Sequence, residues 1–301
     1  MKFVRITALL LTALLLPLTS CTSTENQLAS KAAPITLEGP TASCDAGGVQ
    51  IDGGQITITA HGIYRISGTL ADGQILVDCG DSGEVWLLLD GADITCTTGA
   101  CIYIKQADLT HISLVKDTVN TLTDGTSYTF DPGDDEPDGT LFARDDLVLQ
   151  GEGTLVIDAN FKNAIAAKDD LTIAGGVYDI TSVGHGIKGK DSLTITGGVI
   201  SVEADGDGLK STNAEGGSKG VVTISGGVVD VFAGDEGIQA ISDVTVSGGV
   251  VTVDSRNNGI RSGTALNISG GDLNINAEDT PIDAPEENKT GGLLTISGVA
   301  Q

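Results

Sequence analysis

The stretch Leu193-Thr-Ile-Thr-Gly-Gly198 is one copy of a repeated pattern in which a short alternating run ends in two glycines. Four further copies are Leu171-Thr-Ile-Ala-Gly-Gly176, Val222-Thr-Ile-Ser-Gly-Gly227, Val244-Thr-Val-Ser-Gly-Gly249 and Leu266-Asn-Ile-Ser-Gly-Gly271. Equivalent glycines lie 22 residues apart, except for an interval of 29 residues between Gly197 and Gly226 that contains the polar insertion 213–219. A regular period of this length indicates a solenoid.

Each repeat contains three alternating runs, such as 193–195, 199–202 and 208–211, separated by Gly-Gly and by an acidic glycine-rich corner. Two-residue periodicity with no room for a helix predicts three strands per turn. Stacked turns make equivalent strands parallel, and crossovers between parallel strands are right-handed. We therefore predict an all-β fold, a right-handed single-stranded parallel β-helix of about ten turns from Val49 to Gly298.

The overall composition excludes several classes of function. The chain has 301 residues, 42 of them glycine, and a formal net charge of -25. Nucleic acids and anionic membrane surfaces both require clustered cations, so neither is an expected partner. Hydrophobic residues make up 40% of the chain, which is too many for a disordered acidic segment.

The N-terminus predicts export and a lipid anchor. Lys2 and Arg5 precede an apolar run, 6–16, that is too short to span a bilayer. The following Leu18-Thr-Ser-Cys21 resembles a bacterial lipobox, in which Cys21 is acylated; ordinary signal cleavage is the alternative. The predicted organisation is a signal peptide (1–20), a lipid-anchored tether (21–45) and a β-helix domain (46–301). The protein would lie in the cell envelope outside the cytoplasm, on the outer membrane if the host has one.

Four more cysteines, Cys44, Cys79, Cys96 and Cys101, would then lie in an oxidising compartment. Because Cys96 and Cys101 bound a short turn, we expect them to pair, which leaves Cys44 for Cys79. Four buried thiols packing as small hydrophobic groups are the alternative.

From about Ile56 to Gly298 the chain resembles the bacterial secreted carbohydrate-binding domain proteins, which have a parallel β-helix similar to that of pectate lyases. The stretches that carry the resemblance are Ile56-Thr-Ile-Thr-Ala-His-Gly-Ile-Tyr-Arg-Ile-Ser-Gly-Thr-Leu70, Ile102-Tyr-Ile-Lys-Gln-Ala-Asp-Leu109, Asn120-Thr-Leu-Thr-Asp-Gly125 and Gly186-Ile-Lys-Gly-Lys-Asp191. The resemblance implies binding of plant-type or other acidic polysaccharide, calcium at acidic turns and no established catalytic residues. Thr280-Pro281 replaces the acidic-glycine corner in the last repeat.

The acidic corners predict a metal site if successive turns stack. Asp207, Glu236 and Asn258 would then lie over one another, with Asp205 and Asp235 beside them. Carboxylates at such short distances repel unless a cation lies between them, and several hard oxygen ligands suit Ca²⁺. The alternative is a solvated acidic rim that keeps the protein soluble.

One outward column predicts a carbohydrate-binding surface. It contains Leu76, Tyr103, Phe142, Ala166, Lys188, Lys210, Gln239, Arg261 and Asp283. Rings can stack on sugar faces and cations can bind uronate carboxylates, and Trp86, predicted to point outward, could add another ring. Alternatively, Tyr103 and Phe142 pack under the acidic loop 127–138, and Lys188, Lys210 and Arg261 neutralise nearby acids.

Taken together, the sequence predicts an extracytoplasmic lipoprotein that binds an acidic or plant cell-wall polysaccharide with the help of calcium and without catalysis. A calcium-dependent pectate-type lyase is the first alternative, because Lys188, Lys210 and Arg261 supply possible bases near the acidic corner. A structural or adhesion rod is the second.

Overall fold

The computed structural model describes residues 27–80, 83–130, 133 and 135–297. The predicted signal peptide and Cys21 lie outside this part of the chain. Within it, a helical stretch covers 27–31 and is followed by strands. No helix in the described ranges is both long and apolar enough to cross a bilayer.

The strands are numbered in chain order. They are β1 (Ala33–Gly39), β2 (Ala42–Ser43), β3 (Val49–Asp52), β4 (Gln55–Ile58), β5 (Gly62–Leu70), β6 (Gln74–Asp78), β7 (Glu84–Cys96), β8 (Ile102–Gln106), β9 (Leu109–Leu114), β10 (Val119–Asp124), β11 (Gly139–Ala143), β12 (Asp146–Gly151), β13 (Thr154–Ala159), β14 (Asn163–Ala167), β15 (Asp170–Ile173), β16 (Val177–Ser182), β17 (Ile187–Gly189), β18 (Ser192–Ile195), β19 (Val199–Ala204), β20 (Leu209–Ser211), β21 (Val221–Ile224), β22 (Val228–Ala233), β23 (Ile238–Ala240), β24 (Val244–Ser255), β25 (Ile260–Ser262), β26 (Ala265–Ala277), β27 (Ile282–Asp283), β28 (Glu286–Lys289) and β29 (Leu293–Ser297).

The first sheet has 11 strands in the order β3-β4-β6-β8-β11-β14-β17-β20-β23-β25-β27. From β4 to β27 every pairing is parallel. The register aligns each member of the predicted outward column with the next, from Leu76 to Asp283. The predicted stacking of equivalent residues is therefore confirmed.

The second sheet has 18 strands and forms two further faces of the coil. One ladder, which we call the second face, runs through the first part of β7 and then through β9, β12, β15, β18, β21, β24 and β26. The other, the third face, runs through β10, β13, β16, β19 and β22. The Gly-Gly corners join these two faces. A Cβ on Gly248 would collide with the carbonyl of Ser225 one repeat earlier, and Gly249 has a φ of 85°.

Aliphatic side chains fill the interior. Along the second face, Leu193, Val222, Val244 and Leu266 occupy one register row and are all buried. Alternation along each strand sends one side chain into this core and the next outward. The outward side chains are therefore the ones available for function.

Part of the predicted tether belongs to the fold. β1 lies within residues 21–45 and pairs in parallel with β5. Its side chains Ile35 and Leu37 are buried in the core. The all-β class and the parallel strands are confirmed. The handedness of the coil and its number of turns stay predictions.

Candidate functional site

A cavity of about 610 Å³ lies on the outer side of the first sheet, over β4, β6 and β8. Three rings line this cavity, which we call the cleft: Tyr103, Tyr128 and Phe130. Tyr103 comes from β8, whereas Tyr128 and Phe130 come from the segment that follows β10 and returns over the sheet. Tyr128, Thr129, Phe130, Glu136 and Pro137, which belong to the acidic loop 127–138, therefore form a wall of the cleft.

The outward column has an apolar part beneath this wall. Phe142 is fully buried and Tyr103 is 9% exposed, and together with Ala100 and Ala166 they form a small cluster against Leu76 and Tyr128. Phe142 was predicted to contact sugar, but its ring is covered because the segment after β10 packs over it. Tyr103 keeps only an edge in the cleft.

Two of the cleft rings, Tyr128 and Phe130, also lie near the ring of Phe161. The Tyr128 ring lies 4.3 Å from that of Phe161 and 6.1 Å from that of Phe130, measured between ring centroids. Tyr128, Phe130 and Phe161 are each only partly buried, so part of each side chain remains accessible to a ligand. Sequence reasoning missed these three residues. The available signal was that five of the ten aromatic residues fall between positions 103 and 161.

Asp124, the last residue of β10, holds the wall in place. Its carboxylate accepts a hydrogen bond from the Tyr128 hydroxyl at 2.6 Å and another from the main-chain nitrogen of Asn160. Burial raises the pKa of the Asp124 carboxyl, and the donors partly offset that rise. Asp124 therefore orients the Tyr128 ring from inside the fold.

Charged groups lie among the rings. Lys105 and Arg144 line the cleft; Lys105 pairs with Asp78 at 2.8 Å and Arg144 with Glu136 at 3.2 Å. Glu136 also contacts Lys168. Gln55 also lines the cleft, and its side-chain nitrogen is buried with no hydrogen-bond partner within the described ranges.

The predicted metal ligands converge only in part. Asp207, Asp235 and Glu236, which we call the acidic corner, each offer an oxygen within 4.8 Å of the others. Asn258 directs its side-chain nitrogen at Glu236, at 3.4 Å. Asp205 lies exposed and outside this group.

Cations from the outward column reach the same corner. Lys210 contacts Asp207, and Arg261 donates to Glu236 at 3.1 Å. Lys188 pairs instead with Asp138 at 3.1 Å, next to the wall of the cleft. These contacts match the alternative in which the three cations neutralise nearby acids.

Burial shifts the pKa of Glu236 in the acidic corner and of His185 beside it. Asp207 is fully buried and Glu236 is 3% exposed. Burial, followed by contact with Asp207 and Asp235, raises the pKa of Glu236 to about 7. A hydrogen bond from Asn257 lowers the pKa of Asp235. His185 accepts a hydrogen bond from the Asp207 main-chain nitrogen at 3.0 Å, and burial lowers its pKa.

A calcium ion fits the donor chemistry of the acidic corner, because three carboxylates supply hard oxygen ligands from two repeats. Lys210 and Arg261 already contact two of those carboxylates and would compete with the ion. The corner is nearly closed to solvent, so a sugar cannot reach the Asp207 or Glu236 oxygens directly. This burial disfavours both carboxylates as hydrolytic acid and base.

Trp86 points outward as predicted but lies on the second face, away from Tyr103. Its ring stacks on His111 with centroids 3.8 Å apart and planes inclined by 11°, and its nitrogen donates to Glu84. One side of the Trp86 ring is therefore covered within the protein.

The predicted disulfides are not formed. Cys44, Cys79, Cys96 and Cys101 are all free thiols. Cys101 is buried and directs its sulfur at the carbonyls of Ile94 and Thr123, and Cys79 directs its sulfur at Ile58. The alternative of four buried thiols holds for Cys96 and Cys101, whereas Cys44 and Cys79 are only partly buried.

Comparisons with known proteins agree with this architecture. A carbohydrate-binding domain-containing protein from Acetivibrio thermocellus is 45% identical over 130 residues, which are 43% of this chain and 46% of that protein. The solved structure of a polysaccharide lyase-like protein from C. thermocellum, a gadolinium derivative, matches with a TM-score of 0.70 and 33% identity. That match covers 88% of this chain and 97% of the other. The family model for carbohydrate-binding domain-containing proteins matches residues 52–299, and the chain therefore belongs to that family.

Proposed function

We propose that this chain is a non-catalytic polysaccharide-binding lipoprotein of the cell envelope and that the polysaccharide binds in the cleft on the first sheet. The observation that carries the proposal is the concentration of rings around the cleft in a protein with only 3% aromatic residues. Tyr128 and Phe130 line the cleft and are partly exposed, and aromatic rings in such positions can pack against sugar rings. Family membership supports a carbohydrate as the ligand.

We further propose an acidic polysaccharide, with uronate carboxylates meeting Lys105 and Arg144. Both cations line the cleft and pair with carboxylates, so a uronate would exchange for an existing partner of the same chemistry. The net charge of -25 opposes a polyanion at long range. Ca²⁺ bound at the acidic corner would reduce that repulsion. The right-handed coil of about ten turns and the lipid anchor at Cys21 remain part of this proposal.

Affinity electrophoresis tests the cleft. In native gels that contain polygalacturonate, we expect retardation of the unaltered protein and about tenfold weaker retention of Tyr128→Ala or Phe130→Ala, because each loses a stacking ring. The matched control is Phe232→Ala, which removes an exposed ring from the third face. If no polysaccharide retards the protein, or if Phe232→Ala loses as much retention, the cleft is not the binding site. A neutral glucan in parallel gels tests the preference for acidic sugars.

Calorimetric titration with CaCl₂ tests the metal separately. We expect saturable binding that Asp235→Asn weakens, because it removes one carboxylate from the acidic corner. Asp205→Asn is the matched control, since Asp205 lies nearby and outside the corner. Equal binding by both variants would place calcium elsewhere, and no binding would remove calcium from the proposal.

A polysaccharide lyase is the second candidate, and the observation that favours it is the similarity to a protein described as polysaccharide lyase-like. Elimination from polygalacturonate creates an unsaturated product that absorbs ultraviolet light. Growth of that absorbance in the presence of calcium would replace the non-catalytic proposal. A structural or adhesion rod that binds no polysaccharide would show neither the ultraviolet absorbance of the product nor retardation in the gels.

A further inference from the structure

At the C-terminal end of the described residues, the last repeat leaves apolar side chains partly exposed. The last repeat consists of β27, β28 and β29, and none of these strands has a partner on its outer edge among the described residues. Ile282 and Leu294 face the core but are only partly buried, and Ile296 is 45% exposed. Unpaired strand edges beside apolar side chains favour association with another chain.

The N-terminal end differs. There β2 pairs antiparallel with β1, and β3 pairs antiparallel with β4. These short strands cover the first parallel repeat and interrupt the ladder. Repeat proteins generally need such capping elements at their ends.

The C-terminal end also carries two opposite charges, Glu287 and Lys289, on one strand. Glu287 and Lys289 of β28 occupy the core-facing register positions below Leu266 and Ile268. Asn288 lies between them on the outer side and donates to Asn267 at 3.1 Å. All four residues of β28 are exposed. The Lys289 side chain donates a hydrogen bond to the Gly292 carbonyl at 3.0 Å. If this end is covered, each of the two charges requires an oppositely charged partner in the contact.

We propose that the C-terminal end binds a second copy of this chain, end to end, through antiparallel pairing of β28 with β28 of that copy. Residues directly opposite one another in an antiparallel pair point to the same face. Pairing centred on Asn288 therefore places Glu287 opposite Lys289 of the second copy, and Lys289 opposite Glu287. The two asparagines extend the row that begins at Asn267.

The same symmetry closes the core. A two-fold axis through Asn288 brings β27 of one copy against β29 of the other, so that Ile282 faces Leu294 and Ile296 across the contact. A two-fold contact of this kind is isologous and closes at the dimer. The charge pattern of β28 is self-complementary, and this favours a second copy as the occupant.

Sedimentation equilibrium of the purified full chain at physiological salt tests the proposal. We expect a dimer for the unaltered protein and at least tenfold weaker association for Glu287→Lys and for Lys289→Glu, because each places like charges opposite one another. Mixing these two variants should restore association, since Glu287→Lys then meets Lys289→Glu. Glu203→Lys, the same charge change at an exposed position on β19, is the matched control and should remain dimeric.

Circular dichroism of each variant confirms that loss of association is not loss of folding. A monomer at all concentrations overturns the proposal, as would happen if a different segment covered this end. Dimers that persist in Glu287→Lys and Lys289→Glu place the contact elsewhere and overturn it as well.

Discussion

In the N-terminal half of the first sheet the outward column carries Leu76, Tyr103 and Phe142, whereas in the C-terminal half it carries Lys188, Lys210 and Arg261. The backbone register is the same in both halves. The apolar half requires cover, and the segment after β10 supplies it while leaving the cleft open at its edge.

In the cationic half, two of the outward side chains form ion pairs within the protein. Lys210 and Arg261 turn toward the acidic corner and pair with Asp207 and Glu236. Lys210 and Arg261 are held by buried carboxylates, whereas Tyr128 and Phe130 line the cleft. The comparison teaches that one repeated surface can bind a ligand in one region and stabilise the fold in another.

The largest expected effect on stability comes from removing the Asp207–Lys210 ion pair of the cationic half. Asp207→Ala leaves Lys210 without its buried partner and removes the acceptor for the Glu236 main-chain nitrogen at 3.1 Å. We expect the free energy of unfolding to fall by about 3 kcal/mol, as measured by urea denaturation. Asp205→Ala, an exposed neighbour, should change it by less than about 0.5 kcal/mol. Equal effects would mean that the corner contributes nothing specific.

An intermediate effect is expected when the wall of the cleft is released. Asp124→Ala removes the acceptor of the Tyr128 hydroxyl and of the Asn160 nitrogen, so stability should fall by about 2 kcal/mol. Polysaccharide retention should fall with it, because the Tyr128 ring loses its orientation. Asp124→Asn keeps one oxygen acceptor and should retain part of both properties. Unchanged retention in Asp124→Ala would separate Tyr128 from binding.

The smallest expected effect is the part of the pH dependence of stability that Glu236 contributes. Glu236 has a pKa of about 7 in the folded protein against 4.5 ordinarily, so the folded state holds the extra proton between these values. The free energy of unfolding should therefore fall as the pH rises from about 4.5 to 7. Glu236→Gln should remove this slope and stabilise the protein at pH 8 by about 1 kcal/mol. Denaturation curves at several pH values check it, and an unchanged slope in Glu236→Gln would assign the effect to another group.

Sequence patterns predicted much of the fold and less of the candidate site. The Gly-Gly repeat indicated parallel strands and the outward column, since a corner with no room for a Cβ recurs once per repeat. It also brought Asp207 and Glu236 together. It did not indicate the cleft, because Tyr128 and Phe130 lie in a segment without periodicity. Nor did the spacing of the cysteines indicate that Cys96 and Cys101 are buried while Cys44 and Cys79 are only partly buried.

By itself, the sequence determined the period, the strands and the residues that share a row. These follow from local alternation and from glycines at corners whose backbone conformation glycine adopts more readily than other residues. Only the tertiary structure decided which outward residues stay accessible. Accessibility depends on where a non-repeating segment packs, and that is set by contacts between separate repeats, such as Asp124 with Asn160 and Glu136 with Lys168.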